Sequence, residues 1–252
     1  MKVIVTDNYE QLSARAAEII EDQVNMNSGS VIGLATGGTP LGTYKHLIKG
    51  FQERSVDYSK VTTFNLDEYV GLEEDHPQSY HQFMEQNLFN HVNINHTRTY
   101  IPNGNAESLE EECLLYEQLI EEIGPPDLQL LGIGENGHIG FNEPGSSFQG
   151  FTHIEQLDES TREANARFFN SKEEVPLEAI TMGIGSILKS KAILLLASGE
   201  HKAKAISQLL KGETDEQFPA SALLDHPNVT LVVDRAAYQL VEADEGERDH
   251  AQ

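Results

Sequence analysis

The chain has 252 residues, with 41 Asp and Glu against 17 Lys and Arg, for a formal net charge of −24. Nucleic-acid surfaces and anionic membrane faces both call for clustered Lys and Arg, so this balance excludes both as partners. The length suggests one large domain or two at most, and 38% hydrophobic residues with 20 Gly and 9 Pro make an ordinary globular composition.

The first residues, Met1-Lys2-Val3-Ile4-Val5, lack the apolar run of a signal peptide, and no 18-residue apolar stretch follows. The expected location is the cytoplasm. Short apolar runs then alternate with helical periods to the end of the chain. Strands are expected at Val3–Val5, Val31–Ala35, Val61–Leu66, Leu128–Ile133, Ala192–Ala197 and Thr230–Val233. Helices are expected at Tyr9–Val24, Tyr44–Phe51, Gln78–Asn90, Leu109–Ile123, His201–Leu210 and Arg235–Val241. The strand bodies are apolar on both faces, which suits a covered parallel sheet. The fold class is therefore α/β: a doubly wound, mostly parallel, Rossmann-like sheet with helices on both faces. No repeat, linker or clear boundary divides it, so residues 1–252 read as a single α/β domain. Acids are densest at 107–122, with seven Glu and no base, and at 242–249, and they read as solvated helix faces. Cys113, the lone cysteine, sits among Glu110, Glu111 and Glu112, whose charges oppose a thiolate, and reads as structural. Residues 142–176 carry Gly145, Ser146, Ser147 and Gly150 without a strong period and are expected to form a mobile lid. Residues 242–252 are expected to be a frayed acidic tail.

In open α/β sheets ligands gather beyond the carboxyl ends of the strands. Four segments with unusual chemistry follow expected strands. In Ala35-Thr36-Gly37-Gly38-Thr39-Pro40 the glycines admit close backbone approach, Thr39 can cap, and Pro40 suits a first helical position. This is either a tight structural turn or an anion cradle at a helix N-terminus. Asn65-Leu66-Asp67-Glu68-Tyr69 sets two acids at the end of an apolar strand, where Asp67 is either a cap or a general base. Gly132, Gly134 and Gly137 spell a dinucleotide-type glycine pattern, but Gly140, Asn142 and Pro144 follow where that pattern needs a helix. The same loop presents Asn136, His138 and Glu143, a grouping suited to proton transfer near neutral pH; the alternative is a solvated loop histidine. In Ser198-Gly199-Glu200-His201-Lys202, Lys202 falls in the first turn of an expected helix, where a cation opposes the helix dipole. It is either an exposed surface lysine or the partner of a bound anion. No metal-ligand spacing is found.

Together these segments resemble the glucosamine-6-phosphate deaminase family. The resemblance runs from Val3 to about Tyr238 through Ala35–Pro40, Thr63–Leu72, His76–Tyr80, Asn136–Pro144 and Ala164–Phe169. It implies conversion of glucosamine 6-phosphate and water to fructose 6-phosphate and ammonia, with no cofactor and no metal. His138 would assist ring opening, oriented by Glu143 and Asn136. Asp67 would move the C2 proton to C1. The sugar phosphate would bind at Thr36, Gly37, Gly38 and Thr39, with Arg167 and Lys202 as charge partners.

The chain departs from longer family members, in which basic residues after the Glu143 segment bind an activating N-acetylated sugar phosphate. Here His153 and Glu155 occupy that stretch. With Asn at 136, this resembles a short subgroup expected to be monomeric and without allosteric activation. The alternatives are a related 6-phosphogluconolactonase, against which the complete Asn65–Tyr69 segment argues, and a non-catalytic sugar-phosphate sensor.

Overall fold

The structure, a computed structural model, describes residues 1–250, with side chains described to residue 243. Its strands are β1 (Lys2–Thr6), β2 (Val31–Leu34), β3 (Thr62–Asn65), β4 (Asp67–Tyr69), β5 (Thr99–Tyr100), β6 (Leu128–Gly132), β7 (His153–Gln156), β8 (Glu178–Thr181), β9 (Ile193–Ala197) and β10 (Val229–Asp234). Its helices are α1 (Tyr9–Met26), α2 (Leu41–Arg54), α3 (Tyr80–Asn87), α4 (Leu109–Ile123), α5 (Glu159–Asn165), α6 (Ile184–Leu188), α7 (Ala203–Leu210) and α8 (Arg235–His250).

Seven strands form one parallel sheet in the order β1-β10-β9-β6-β2-β3-β5, with helices around it. In its interior lies β9, whose five residues Ile193-Leu194-Leu195-Leu196-Ala197 are all buried, as a strand covered on both faces must be. From β2 the chain runs outward through β3 to β5, then returns to β6 on the other side of β2. The loops after β2 and β6 therefore diverge, and a crevice opens between them at the carboxyl ends of the strands.

The helices follow from local sequence. Asn8 caps α1 by accepting a 3.0 Å bond from the Gln11 amide, and Leu12, Ala16, Ala17, Ile20 and Val24 form its buried stripe. Ser108 caps α4, whose Cys113, Tyr116 and Ile120 face inward while Glu110, Glu111 and Glu112 load the first turn, where the helix dipole favours acids. Burial, then Glu112 and Glu110, push the Cys113 thiol up to about 11.

A second sheet lies outside the sequence expectation. In it β8 pairs antiparallel with both β4 and β7, in the order β4-β8-β7. The stretch 142–176 is thus more regular than its composition suggests, since it holds both β7 and α5. Tyr69, Phe141, Leu157 and Ala179 form a small separate core beside this sheet, with Tyr80 and Phe169 packed on it. At the other end, α8 runs past the expected Val241 to His250, through most of the acidic tail; residues 251 and 252 lie outside the described residues. Among the described residues no helix is long and apolar enough to cross a membrane.

Candidate active site

A cavity of about 560 Å³ opens at the carboxyl ends of the strands. Thr36, Gly37, Gly38, Thr39, Asp67, Asn136, His138, Arg167 and Lys202 all line it. Glu143 lies behind the wall, buried, in contact with Asn136 and His138.

The loop after β2 turns through Gly37 at φ 91°, a conformation that disfavours any residue with a side chain. Thr39 does not cap α2, contrary to expectation, and Pro40 sits at the cap position with the helix starting at Leu41. A distant residue takes over. The Tyr9 hydroxyl on α1 accepts from the Gly42 amide at 2.8 Å and lies within bonding distance of the Gly38 and Thr39 carbonyls. The Tyr44 hydroxyl donates to the Ala35 carbonyl. With these carbonyls held by tyrosines on the helix side, the loop is braced from behind.

Two cations meet this loop. The Arg167 guanidinium lies 3.8 Å from where a side chain on Gly38 would begin, and it stacks on Phe168 at 4.8 Å. Lys202 falls in a short 3-10 turn, Glu200–Lys202, ahead of α7, not in the helix itself. Burial holds its ammonium below the ordinary lysine value; Glu135 opposes that shift and Arg167 adds to it. Two cations close enough to disfavour each other, beside a glycine loop at a helix start, form a site whose charge calls for an anion.

The paired acids of β4 part company, because successive strand residues face opposite ways. Asp67 lines the cavity, while Glu68 turns away to bond the start of α3. Burial, and then the Glu68 charge, push the Asp67 carboxyl up to about 8. Gly140, at φ 58°, lets the loop pass close by: a side chain there would begin 3.6 Å from the Asp67 carboxylate and 3.0 Å from the Thr181 hydroxyl.

After β6 no helix forms before Pro144, which disposes of the dinucleotide reading. The chain folds into a tight loop in which the Gly134 amide bonds the His138 carbonyl at 2.9 Å. Asn136 works in two directions. Its amide donates to Glu143 Oε2 at 2.9 Å, and its Oδ1 accepts from the His138 backbone at 3.2 Å. His138 Nδ1 lies 3.5 Å from the same Glu143 oxygen. Burial alone would push the Glu143 carboxyl up, but His138, with help from Thr161 and Asn136, outweighs it and holds the group below its ordinary value. The outcome is an ionised carboxylate facing an imidazole nitrogen, an arrangement that orients a histidine ring. Gly134 makes room for the ring, since a side chain there would begin 2.4 Å from His138 Nδ1.

Other lining residues enter the sequence reading, if at all, only through the family resemblance. Tyr80 reaches the cavity from α3, its ring packed 4.9 Å from Tyr69 and stacked 6.1 Å from Phe141. Thr161, Glu163 and Asn165 come from α5, inside the stretch that reads as irregular. Among the described residues no group of three or more His, Cys, Asp and Glu is arranged to hold a metal ion.

A family model described as glucosamine-6-phosphate isomerases/6-phosphogluconolactonase matches residues 6–232. The chain belongs to this family. Within it, the glucosamine-6-phosphate deaminase of Thermoanaerobacter pseudethanolicus is 56% identical over 241 residues, covering 96% of this chain and 95% of that one. The Clostridium perfringens deaminase is 52% identical, covering 96% and 100%. Among solved structures, a monomeric glucosamine-6-phosphate deaminase superposes with a TM-score of 0.95 at 53% identity, over 95% of this chain and 100% of that chain. A 6-phosphogluconolactonase from Trypanosoma cruzi shares the fold at a TM-score of 0.76, but at 17% identity over 94% and 96% of the two chains.

Proposed function

We propose that this protein is a glucosamine-6-phosphate deaminase, converting glucosamine 6-phosphate and water to fructose 6-phosphate and ammonia. The observation that supports it most is that one cavity is lined by a buried carboxyl, a carboxylate-backed histidine and a glycine loop flanked by two cations. Each answers to one part of the reaction.

The phosphate sits on the amides of Thr36, Gly37, Gly38 and Thr39, with a forked contact from Arg167 and a point contact from Lys202. Binding energy from this remote group positions the sugar carbons. His138, oriented by Asn136 and Glu143, exchanges protons with the ring and anomeric oxygens, so the ring opens to the aldehyde. Asp67 then removes the C2 proton. The electron pair moves into a C1–C2 double bond and the aldehyde oxygen takes a proton, giving an enediol-like intermediate with nitrogen on C2. Asp67 returns its proton to C1, which leaves a C2 imine. Water adds at C2, the C–N bond breaks, and ammonia leaves with fructose 6-phosphate. A carboxyl titrating at about 8 is a far stronger base than one at the ordinary 3.8, which suits a carbon acid.

The protein acts as a cytoplasmic monomer without an anionic activator. A second, smaller cavity of about 280 Å³ is lined by Ser146, Ser147, His153 and Glu155, where longer members carry bases. Here Glu155 holds His153 at 3.1 Å, so the pair offers an incoming anion no surplus positive charge.

The test is to incubate purified protein with glucosamine 6-phosphate and, separately, with 6-phosphogluconolactone. Ammonia and fructose 6-phosphate in equal amounts from the first, at a rate unmoved by added N-acetylglucosamine 6-phosphate, support the reading. Lactone hydrolysis without ammonia, or ligand binding without turnover, would overturn it.

A further inference from the structure

We infer that Glu68 is a positioning residue for Asp67: its ionised carboxylate anchors the start of α3 and sets a fixed negative charge beside the proposed base. The inference deepens the reading of Asp67 as the base and rests on it.

Glu68 is 1% exposed, yet its carboxylate gathers three backbone amide donors and faces a histidine nitrogen. One oxygen accepts from the Tyr69 amide at 2.8 Å and the Tyr80 amide at 2.9 Å. The other accepts from the Tyr80 amide at 2.9 Å and the His81 amide at 3.1 Å, and it lies 2.9 Å from His81 Nδ1. Backbone amides only donate, so three of them converging on one carboxyl stabilise its charged form. The amide shell favours the ionised form, with the α3 dipole adding to it. His81 in turn keeps its Nε2 3.8 Å from Glu74, so a further acid faces Glu68 only through that ring.

Glu68 does not line the cavity, so it acts through its neighbours. First, it ties β4 to α3 and thereby sets Tyr80, whose ring packs 4.9 Å from Tyr69 and 6.1 Å from Phe141 and whose edge lines the cavity. Second, its charge is one residue from Asp67. The phenols of Tyr44 on α2, Tyr69 on β4, Tyr80 on α3 and Tyr116 on α4 also feel the Asp67 charge, and burial holds all four neutral; the cations Arg167 and Lys202 line the same cavity. Thr181 and Gly140 close the remaining sides without charge, and His138 lines the same cavity. Glu68 is thus the fixed charge that discourages ionisation of Asp67 and makes it the more basic.

The experiment compares kcat/KM against pH for wild type, Glu68→Gln and Glu68→Asp, with folding checked by circular dichroism. Titration of the substrate amine is common to all three and cancels in the comparison. Glu68→Gln removes the charge at nearly constant size, and its acid limb should move to lower pH by on the order of one unit. Glu68→Asp keeps the charge but stretches the contacts to Tyr80 and His81, so its limb should stay in place while kcat falls. A folded Glu68→Gln enzyme with an unmoved limb would overturn the inference. Should Glu68→Gln not fold, Glu68→Asp decides: a displaced limb, or kcat equal to wild type, would overturn it. Neither result touches the base assignment, which fails only if Asp67→Asn itself turns over.

Discussion

Replacing Asp67 with Asn should inactivate the protein and stabilise it, and the stabilisation should grow with pH. In the unfolded chain this carboxyl titrates at 3.8, while in the fold it titrates at about 8. Below the lower value both states hold the proton and nothing is lost. Between the two, the unfolded chain has shed the proton that the fold retains, so stability falls by about 1.4 kcal/mol per pH unit, then levels off above about pH 8. From about pH 5.5 to pH 8.5 the wild type should therefore lose about 3 kcal/mol that the Asp67→Asn protein keeps. For a chain of this size that is about 6–12 °C in Tm. Thermal unfolding of both proteins, followed by circular dichroism at the two pH values, checks this. The stability gap should widen by about that amount at the higher pH. A gap that is constant or narrows would show that Asp67 is not held protonated by its surroundings, and its basicity would lose its physical cause.

Three further outcomes follow from the same geometry. Arg167→Ala and Lys202→Ala should each raise KM about 10–100-fold, the worth of a charge-assisted hydrogen bond, with a smaller change in kcat; steady-state kinetics with unchanged KM would remove that residue from the phosphate site. Gly134→Ala should drive the His138 ring out of line, because the new carbon would begin 2.4 Å from it, and should lower kcat by about 100-fold while KM moves less. Because the net charge of −24 opposes a phosphate dianion beyond the local cations, modest salt, which screens within about 8 Å at physiological strength, should leave KM constant or lower it; a steep rise in KM between low and moderate salt would contradict this.

Much of the site is legible in the sequence because its residues follow long apolar strands. The runs ending at Leu34, Gly132 and Ala197 announce central strands, and glycines, acids or a lone lysine directly after them stand out against that background. The second sheet is not legible, for a physical reason. Asp67-Glu68-Tyr69 and His153-Ile154-Glu155-Gln156 are short and polar, and they become strands only because the distant Glu178–Thr181 pairs with both. Tyr9 reads as an ordinary helix residue, since nothing local reveals that its hydroxyl replaces Thr39 as the cap of another helix. Thr161 escapes notice, and Tyr80 and Asn165 enter only through the family resemblance, because helical periodicity shows which face is buried but not that a cavity lies beneath it. The different fates of Asp67 and Glu68 are within reach of the alternation rule once Asp67–Tyr69 is known to be a strand.

One comparison tests the assignment most directly: ammonia release from glucosamine 6-phosphate by wild type and by Asp67→Asn, with binding of the sugar phosphate measured on both by calorimetry. The expected result is release by the wild type, none by the variant, and binding by both, since the phosphate contacts lie on other residues. Release of ammonia by the variant at the wild-type rate, or none from the wild type, would contradict it.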